Sequence, residues 1–475
     1  PYLPECEYIP DGEPHVFGNR VYLYGSHDRA DGEKYCMNDY VCYSADIHNL
    51  KDWRYEGVIY RSRQDPRAKT EIHQMWAPDV ARGKDGRYYL YYCLDDSVRS
   101  IGVAVSDTPA GKYEFYGLVQ DRMGGLIGER EGDTIAFDPG ILLDEDGSIY
   151  LYSGNGPRTE DAIGKELKAS VVMLLEDDMK TIRTEPKKLL PILGEAQGSG
   201  FEGHEFFEAS SIRKVGRKYY LVYSSVNLHE LCYAVSDRPD CGFTYGGVVI
   251  SNADIMERGT RKEDRIARNC IGNNHGGIER INGEYYIFYH RQTNRTMFSR
   301  QGCAEKIFIK PDGSIPQVRT SSCGLNDGPL PGIGVYPAAC VCHLYGRYPQ
   351  EQSRRQIMGE KHPYLTQDGP DFDAELLTEA SLPPREYVAN GKNGMHALFR
   401  YFDLKNTGSI TVRTRGSSHG KLLILAEEDG RKAGEIIVEA SKEWKNFSGE
   451  VSFEPGEQEI CFVYQGTGVL ELLQF

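Results

Sequence analysis

The sequence predicts an all-β chain: a five-bladed β-propeller over residues 1–320, a linker over 321–335 and a β-sandwich over 336–475. Three observations predict it. The 475 residues include 32 Tyr and 52 Gly, a composition of short strands and turns, and few stretches hold a helical period. A Gly-led, Tyr-rich apolar strand recurs five times. A second signature, an apolar strand running into an acidic turn, follows four of the five in phase.

The repeated strand first reads Gly18-Asn19-Arg20-Val21-Tyr22-Leu23-Tyr24 and returns as Gly86-Arg87-Tyr88-Tyr89-Leu90-Tyr91-Tyr92. It comes back as Gly147-Ser148-Ile149-Tyr150-Leu151-Tyr152, as Gly216-Arg217-Lys218-Tyr219-Tyr220-Leu221-Val222-Tyr223 and as Gly283-Glu284-Tyr285-Tyr286-Ile287-Phe288-Tyr289. With Tyr22, Tyr89, Tyr150, Tyr220 and Tyr286 as equivalents, the steps are 67, 61, 70 and 66 residues. The second signature reads Val41-Cys42-Tyr43-Ser44-Ala45-Asp46, Val103-Ala104-Val105-Ser106-Asp107, Leu174-Leu175-Glu176-Asp177 and Tyr233-Ala234-Val235-Ser236-Asp237. A further strand, such as Gly246-Gly247-Val248-Val249-Ile250, completes a four-stranded unit. One such unit per repeat, five times over, is a five-bladed propeller.

Beyond Gly313-Ser314-Ile315 the repeat fades into a Ser-, Gly- and Pro-rich crossing segment. A polar loop is expected at 350–355. Ala397–Phe402, Ser409–Arg413, Lys421–Leu425 and Glu459–Tyr464 then read as strands separated by turns at Asp429-Gly430 and Pro455-Gly456. This is sandwich grammar.

A net charge of −15 argues against nucleic acid or an anionic membrane as partner and fits a neutral ligand. No apolar run approaches the roughly 20 residues of a membrane span. The chain opens Pro1-Tyr2-Leu3-Pro4-Glu5, without a basic and then apolar leader, and its twelve Cys are scattered singly. Reduced core thiols and a cytoplasmic location are the expectation.

In a propeller the first strand of each blade lines the central channel. Asp11, Asp79, Asp138, Glu208 and His275 lie 11, 10, 12, 12 and 11 positions before the reference tyrosines, so they converge near the axis. Carboxylates gathered in one cavity cannot all ionise cheaply, so at least one is pushed to hold its proton. A protonated carboxyl beside an ionised one is what glycoside hydrolysis uses. For Asp79 a structural hydrogen-bonding role is favoured. Trp76 and Phe137 read as core residues or as platforms for a sugar face. Asp28 is a candidate for lining the substrate site. His204-Glu205-Phe206-Phe207-Glu208 lacks the second His of a zinc helix motif, and no phosphate loop or dinucleotide fingerprint is present, so no organic cofactor is expected.

Asp11-Gly12-Glu13-Pro14-His15-Val16-Phe17, Trp76-Ala77-Pro78-Asp79-Val80, Phe137-Asp138-Pro139-Gly140-Ile141, Phe207-Glu208-Ala209 and Asn274-His275-Gly276-Gly277 together resemble glycoside hydrolase family 43. Residues 336–475 more loosely resemble a family 6-type carbohydrate-binding module. The resemblance implies an inverting exo-acting hydrolase that releases arabinofuranosyl or xylosyl ends from plant-cell-wall oligosaccharides. It implies Asp11 as general base, Glu208 as general acid and Asp138 as the carboxylate that tunes and orients the acid. It also implies that Arg291 contacts the sugar, and that His275 contacts a Ca²⁺ ion in the channel, mostly through waters. Counting back from His15-Val16-Phe17 puts the base on Asp11, and counting from Pro14 puts it on Glu13; the gapless strand that follows favours Asp11. For the C-terminal sandwich a bracing role is favoured over sugar binding.

Overall fold

A computed structural model describes all residues except 70–72, 96–98, 260–261, 348–361, 370, 372–382, 406 and 429. The polar loop expected at 350–355, and the Asp429 half of one expected turn, lie outside the described residues.

Five antiparallel sheets follow one another along the chain. Blade I runs from Glu13–Phe17 through Arg20–Tyr24 and Tyr40–Asp46 to Asn49–Tyr60. Blade II comprises Met75–Arg82, Tyr88–Leu94, Gly102–Ser106 and Glu114–Leu118; blade III comprises Gly140–Leu143, Ile149–Asn155, Ala169–Leu175 and Lys187–Lys188. Blade IV comprises Phe206–Val215, Lys218–Ser225, Glu230–Ser236 and Thr244–Ser251. Blade V has three strands, Ile278–Ile281, Glu284–Gln292 and Arg300–Ile307. A parallel bridge between Gly12 and Gly276 joins the first blade to the last.

The repeated Tyr-rich strand is the second strand of every blade, and its composition follows from where it lies. In blade II, Tyr88, Leu90, Tyr92 and Leu94 pack into the seam with blade I. The alternate residues Tyr89, Tyr91 and Cys93 pack into the seam with blade III. A strand buried on both faces carries apolar residues at every position rather than at every second one. The seams between blades III and IV, IV and V, and V and I hold three further clusters of the same kind. Ten of the twelve cysteines are buried. No helix among the described residues is long and apolar enough to cross a membrane.

The C-terminal unit is all-β as expected, with one difference. Its hydrogen bonds run through a single curled ladder around one core, and the Lys432–Val438 and Ser441–Ser452 strands meet through one residue pair, Gly434 and Val451. Leu330–Pro331, inside the stretch expected as linker, pairs in parallel with Phe402-Asp403 of that ladder.

The two units share a polar seam. Asp254, in the loop after blade IV, accepts from Arg400 Nη2 at 2.6 Å and from the Thr320 backbone at 2.9 Å, and lies 2.8 Å from His343 Nε2. The C-terminal unit also reaches the channel mouth. Asp371 accepts from the Ala30 backbone at 2.7 Å and from Asn38 Nδ2 at 2.8 Å. These contacts hold the blade I loop that carries Tyr35 and Cys36.

Candidate active site

A pocket of about 210 Å³ opens at one end of the propeller channel, lined by Asp11, Asp138, Glu208, Trp76, Phe137 and His275 among others. It is smaller than the roughly 300–1,000 Å³ of drug-sized ligand sites, a size suited to one sugar ring. A larger cleft of about 730 Å³, under residues 331–336 of the C-terminal unit, gathers no group of carboxylates.

Local backbone geometry delivers the three acids. Asp11 and Asp138 have φ of 57° and 45°, and Ala209, directly after Glu208, has 70°. This left-handed region is sparsely used by residues other than Gly, and Asp enters it more readily than most because its short polar side chain bonds locally. Around Glu208 the register of blade IV also slips twice, between Phe206 and Glu208 and between Glu208 and Ser211. Bulges of this kind re-aim a side chain out of the ladder.

Asp11 is held as a carboxylate. It is 5% exposed, and its Oδ2 accepts from Ser26 Oγ at 2.5 Å while Oδ1 accepts from Arg300 Nη1 at 3.0 Å. His290 Nε2 donates to the Asn273 carbonyl at 2.7 Å, which leaves Nδ1 to accept from the Asp11 backbone N–H at 3.2 Å. Burial opposes ionisation, but the Arg300 charge outweighs it and holds the Asp11 carboxyl well below the usual carboxylate range.

Glu208 is driven the other way. Burial first, and then the Asp11 charge, push it up to about 7 against the counter-pull of Arg300, Lys168 and Arg158. Asp138 is 4% exposed and accepts the Ala209 backbone N–H at 3.1 Å. Burial, and then the charges of Glu208 and Asp11, raise it as well. The Asp138–Glu208 pair therefore holds a proton near neutrality, and Asp11 does not.

The aromatic candidates both line the pocket. The rings of Trp76 and Phe137 meet edge to face, with centroids 5.3 Å apart. Trp76 Nε1 is buried without a hydrogen-bond partner, a donor available to a ligand oxygen. His275 lies deeper, with Nδ1 3.6 Å from Asp138 Oδ2 and Nε2 3.9 Å from Glu13 Oε1. Burial keeps it neutral, lowering it to about 4.

Asp11 reaches the pocket and Glu13 does not line it. Glu13 sits further along the channel, accepting from Arg213 Nη2 and Ser211 Oγ, each at 3.0 Å. Asp79 takes the structural place expected of it. It accepts the Val80 and Ile141 backbone N–H groups at 2.7 and 2.8 Å and lies 2.6 Å from His15 Nε2, tying blades I, II and III together.

Two expectations are corrected. Arg291 does not face the pocket. Its guanidinium donates to the carbonyls of Val341 and Cys342 at 2.9 and 3.0 Å and to Gln301 at 2.9 Å, in the seam with the C-terminal unit. Neighbouring strand residues point to opposite faces, and His290 takes the face toward Asp11. The arginine of the site is Arg300, opposite Gln292 in the next strand and absent from the sequence reading. Asp28 does not line the pocket either. It is 1% exposed and grips Arg300, accepting from Nε at 2.8 Å and from Nη2 at 3.0 Å.

The arrangement is an ionised carboxylate, a carboxyl pair that holds a proton and an aromatic wall around space for one sugar. A profile described as glycosyl hydrolases family 43 matches residues 10–315, the whole propeller.

The chain belongs to family 43.

Among its relatives, a xylosidase/arabinosidase of Thermoclostridium stercorarium is 48% identical over 479 residues, covering 100% of this chain and 98% of its own. A β-xylosidase/α-arabinofuranosidase from a compost metagenome, solved with xylotriose in a calcium-free form, is 26% identical with a TM-score of 0.50, covering 67% of this chain and 97% of that one. An arabinoxylan arabinofuranohydrolase of Bacillus subtilis, solved with cellotetraose, covers 99% of this chain and 95% of its own at a TM-score of 0.51; at 19% identity it shows the shared fold of both units.

Proposed function

We propose that this family 43 glycoside hydrolase removes single arabinofuranosyl or xylosyl residues from the ends of plant-cell-wall oligosaccharides with inversion of configuration. One observation carries the reading. A pocket sized for one ring holds a carboxylate kept ionised by Arg300 and a carboxyl kept protonated near neutrality.

In the reaction Glu208 gives its proton to the glycosidic oxygen as the bond to the anomeric carbon breaks. Asp11 takes a proton from a water that attacks that carbon from the opposite face. The products are a free sugar of inverted configuration, an alcohol on the remaining chain, protonated Asp11 and ionised Glu208, and solvent restores both groups. Inverting pairs stand about 6.5–9.5 Å apart to admit the water. Asp138 and Glu208 share the proton of the pair, and the Ala209 N–H on Asp138 Oδ2 opposes protonation of Asp138 and so favours Glu208 as its donor.

The channel residues suit a hard cation. Glu13 Oε1 is buried without a partner 3.9 Å from His275 Nε2, and Glu13, His15 and Asp79 present ligand atoms within 4.8 Å of one another. His275 and Glu13 would hold Ca²⁺, with water completing its oxygen shell. When bound it would supply positive charge to the neighbouring carboxylates.

The test is a panel of aryl α-L-arabinofuranosides and β-D-xylosides with the wild type and Glu208→Gln. The reading expects turnover of at least one class by the wild type and, in the folded variant, its loss on substrates whose leaving group needs a proton. Sugar binding without turnover by the wild type would contradict it.

A further inference from the structure

Gly154-Asn155-Gly156 ends the second strand of blade III beside Glu208 of blade IV. Gly154 N donates to the Phe137 carbonyl at 2.8 Å, and Gly156 N donates to the Phe207 carbonyl at 2.6 Å. Both glycines are needed for this close approach. A Cβ on Gly154, where φ is 137°, would lie 1.9 Å from the Ala169 carbonyl oxygen, and one on Gly156 would lie 2.4 Å from that of Phe206. Asn155 is therefore clamped to the residues that immediately precede Asp138 and Glu208.

The clamped side chain has a defined orientation. Asn155 Nδ2 donates to Glu208 Oε2 at 3.3 Å, and Asn155 Oδ1 accepts from Lys168 Nζ at 2.9 Å. An amide can be turned over, but an ammonium only donates, so Lys168 forces the carbonyl oxygen toward itself and the NH₂ toward Glu208. Lys168 is itself placed by Glu166 Oε2 at 3.5 Å.

We propose that Asn155 is a positioning residue that selects which oxygen of Glu208 carries the acid proton, with Lys168 locking the amide. The proposal rests on Glu208 being the acid. An N–H directed at Oε2 favours the carbonyl oxygen of a protonated carboxyl over its hydroxyl, so the proton sits on Oε1. As the Oε1–H bond breaks and its electron pair stays with the carboxylate, the same N–H bonds a growing negative charge. A hydrogen bond to an ionised acceptor is about twice as strong as one to a neutral acceptor, so the contact favours the transition state over the ground state.

The test uses the full chain with Asn155→Ala, Lys168→Met, both together, and Glu208→Gln. The substrates are aryl β-D-xylosides and α-L-arabinofuranosides whose leaving groups run from phenol to 2,4-dinitrophenol. A dinitrophenolate leaves without a proton, so a defect confined to the acid appears only with the poorer leaving groups. General acid catalysis contributes about 10²–10⁴-fold, and loss of its positioning is expected to cost Asn155→Ala on the order of tenfold in kcat on phenyl glycosides and far less on dinitrophenyl ones. Lys168→Met should fall the same way by a smaller factor, and the double variant should be no worse than Asn155→Ala. Equal losses on both leaving groups would mean a merely structural role and overturn the proposal. So would an intact Asn155→Ala beside a Glu208→Gln that shows strong leaving-group dependence. A Glu208→Gln without that dependence would instead remove the acid assignment itself.

Discussion

Arg300 bridges Asp11 and Asp28: its Nη1 lies 3.0 Å from Asp11 Oδ1 and its Nε 2.8 Å from Asp28 Oδ2, with all three side chains at most 6% exposed. The outer carboxylate fixes the guanidinium, and the guanidinium fixes the charge on the inner one. The ionised state of Asp11 is thus set by a residue that enters from another blade.

Arg300→Met should therefore act on the pH profile. The folded Asp11 carboxyl is held low, so the free enzyme keeps its base ionised far into acid. Without Arg300 burial prevails, and the acid limb of kcat/KM moves to higher pH. Stability also falls by about 3–5 kcal/mol, because two carboxylates lose their buried partner. Arg291→Met is the contrasting case. It strips two carbonyls of their donor at a cost of about 1–3 kcal/mol each and lowers Tm, with kcat and the pH limbs unchanged. Thermal melts and pH–rate profiles of both variants separate the roles.

The basic limb belongs to Glu208. Its active form is protonated and its carboxyl is pushed up to about 7, so kcat/KM should be full below that pH and fall as pH rises through it. A profile flat to pH 9 would contradict the assignment.

The seam at Asp254 makes a prediction about acid stability. Burial opposes its ionisation, but Arg400, His343 and Arg319 lower its carboxyl below the usual range. A group depressed in the folded state stabilises above its unfolded value, about 3.9, and that contribution disappears as pH falls below it. Asp254→Asn should lose stability at neutral pH and show a flatter decline below about pH 4 than the wild type. Urea melts across that range measure it.

Asp371 tests whether the C-terminal unit shapes the pocket. Asp371→Ala removes two bonds to the loop that carries Tyr35 and Cys36. The expected result is a higher KM on short oligosaccharides with a smaller change in kcat, read from initial rates.

Much of this was legible in the sequence because it is periodic. Five Gly-led strands, apolar on both faces, fixed the blade count, and the residues about a dozen positions upstream of Tyr150 and Tyr220 delivered Asp138 and Glu208 to one pocket. The contacts that tune those acids are not periodic. Arg300 meets Asp28 across 272 residues of chain, and nothing local to Ser299-Arg300-Gln301 marks it. Arg291 sat beside the right histidine on the wrong face, a distinction that depends on knowing which way His290 points. In the C-terminal unit strand grammar located strands, but whether two layers remain separate or join through Gly434 and Val451 depends on long-range pairing.

The most direct measurement of the central claim is proton NMR of the anomer first released from an aryl α-L-arabinofuranoside or β-D-xyloside. With Asp11 activating water and Glu208 protonating the leaving oxygen from the other face, the first sugar to appear has the opposite anomeric configuration to the substrate and only later mutarotates. Initial release of the retained anomer would contradict the account.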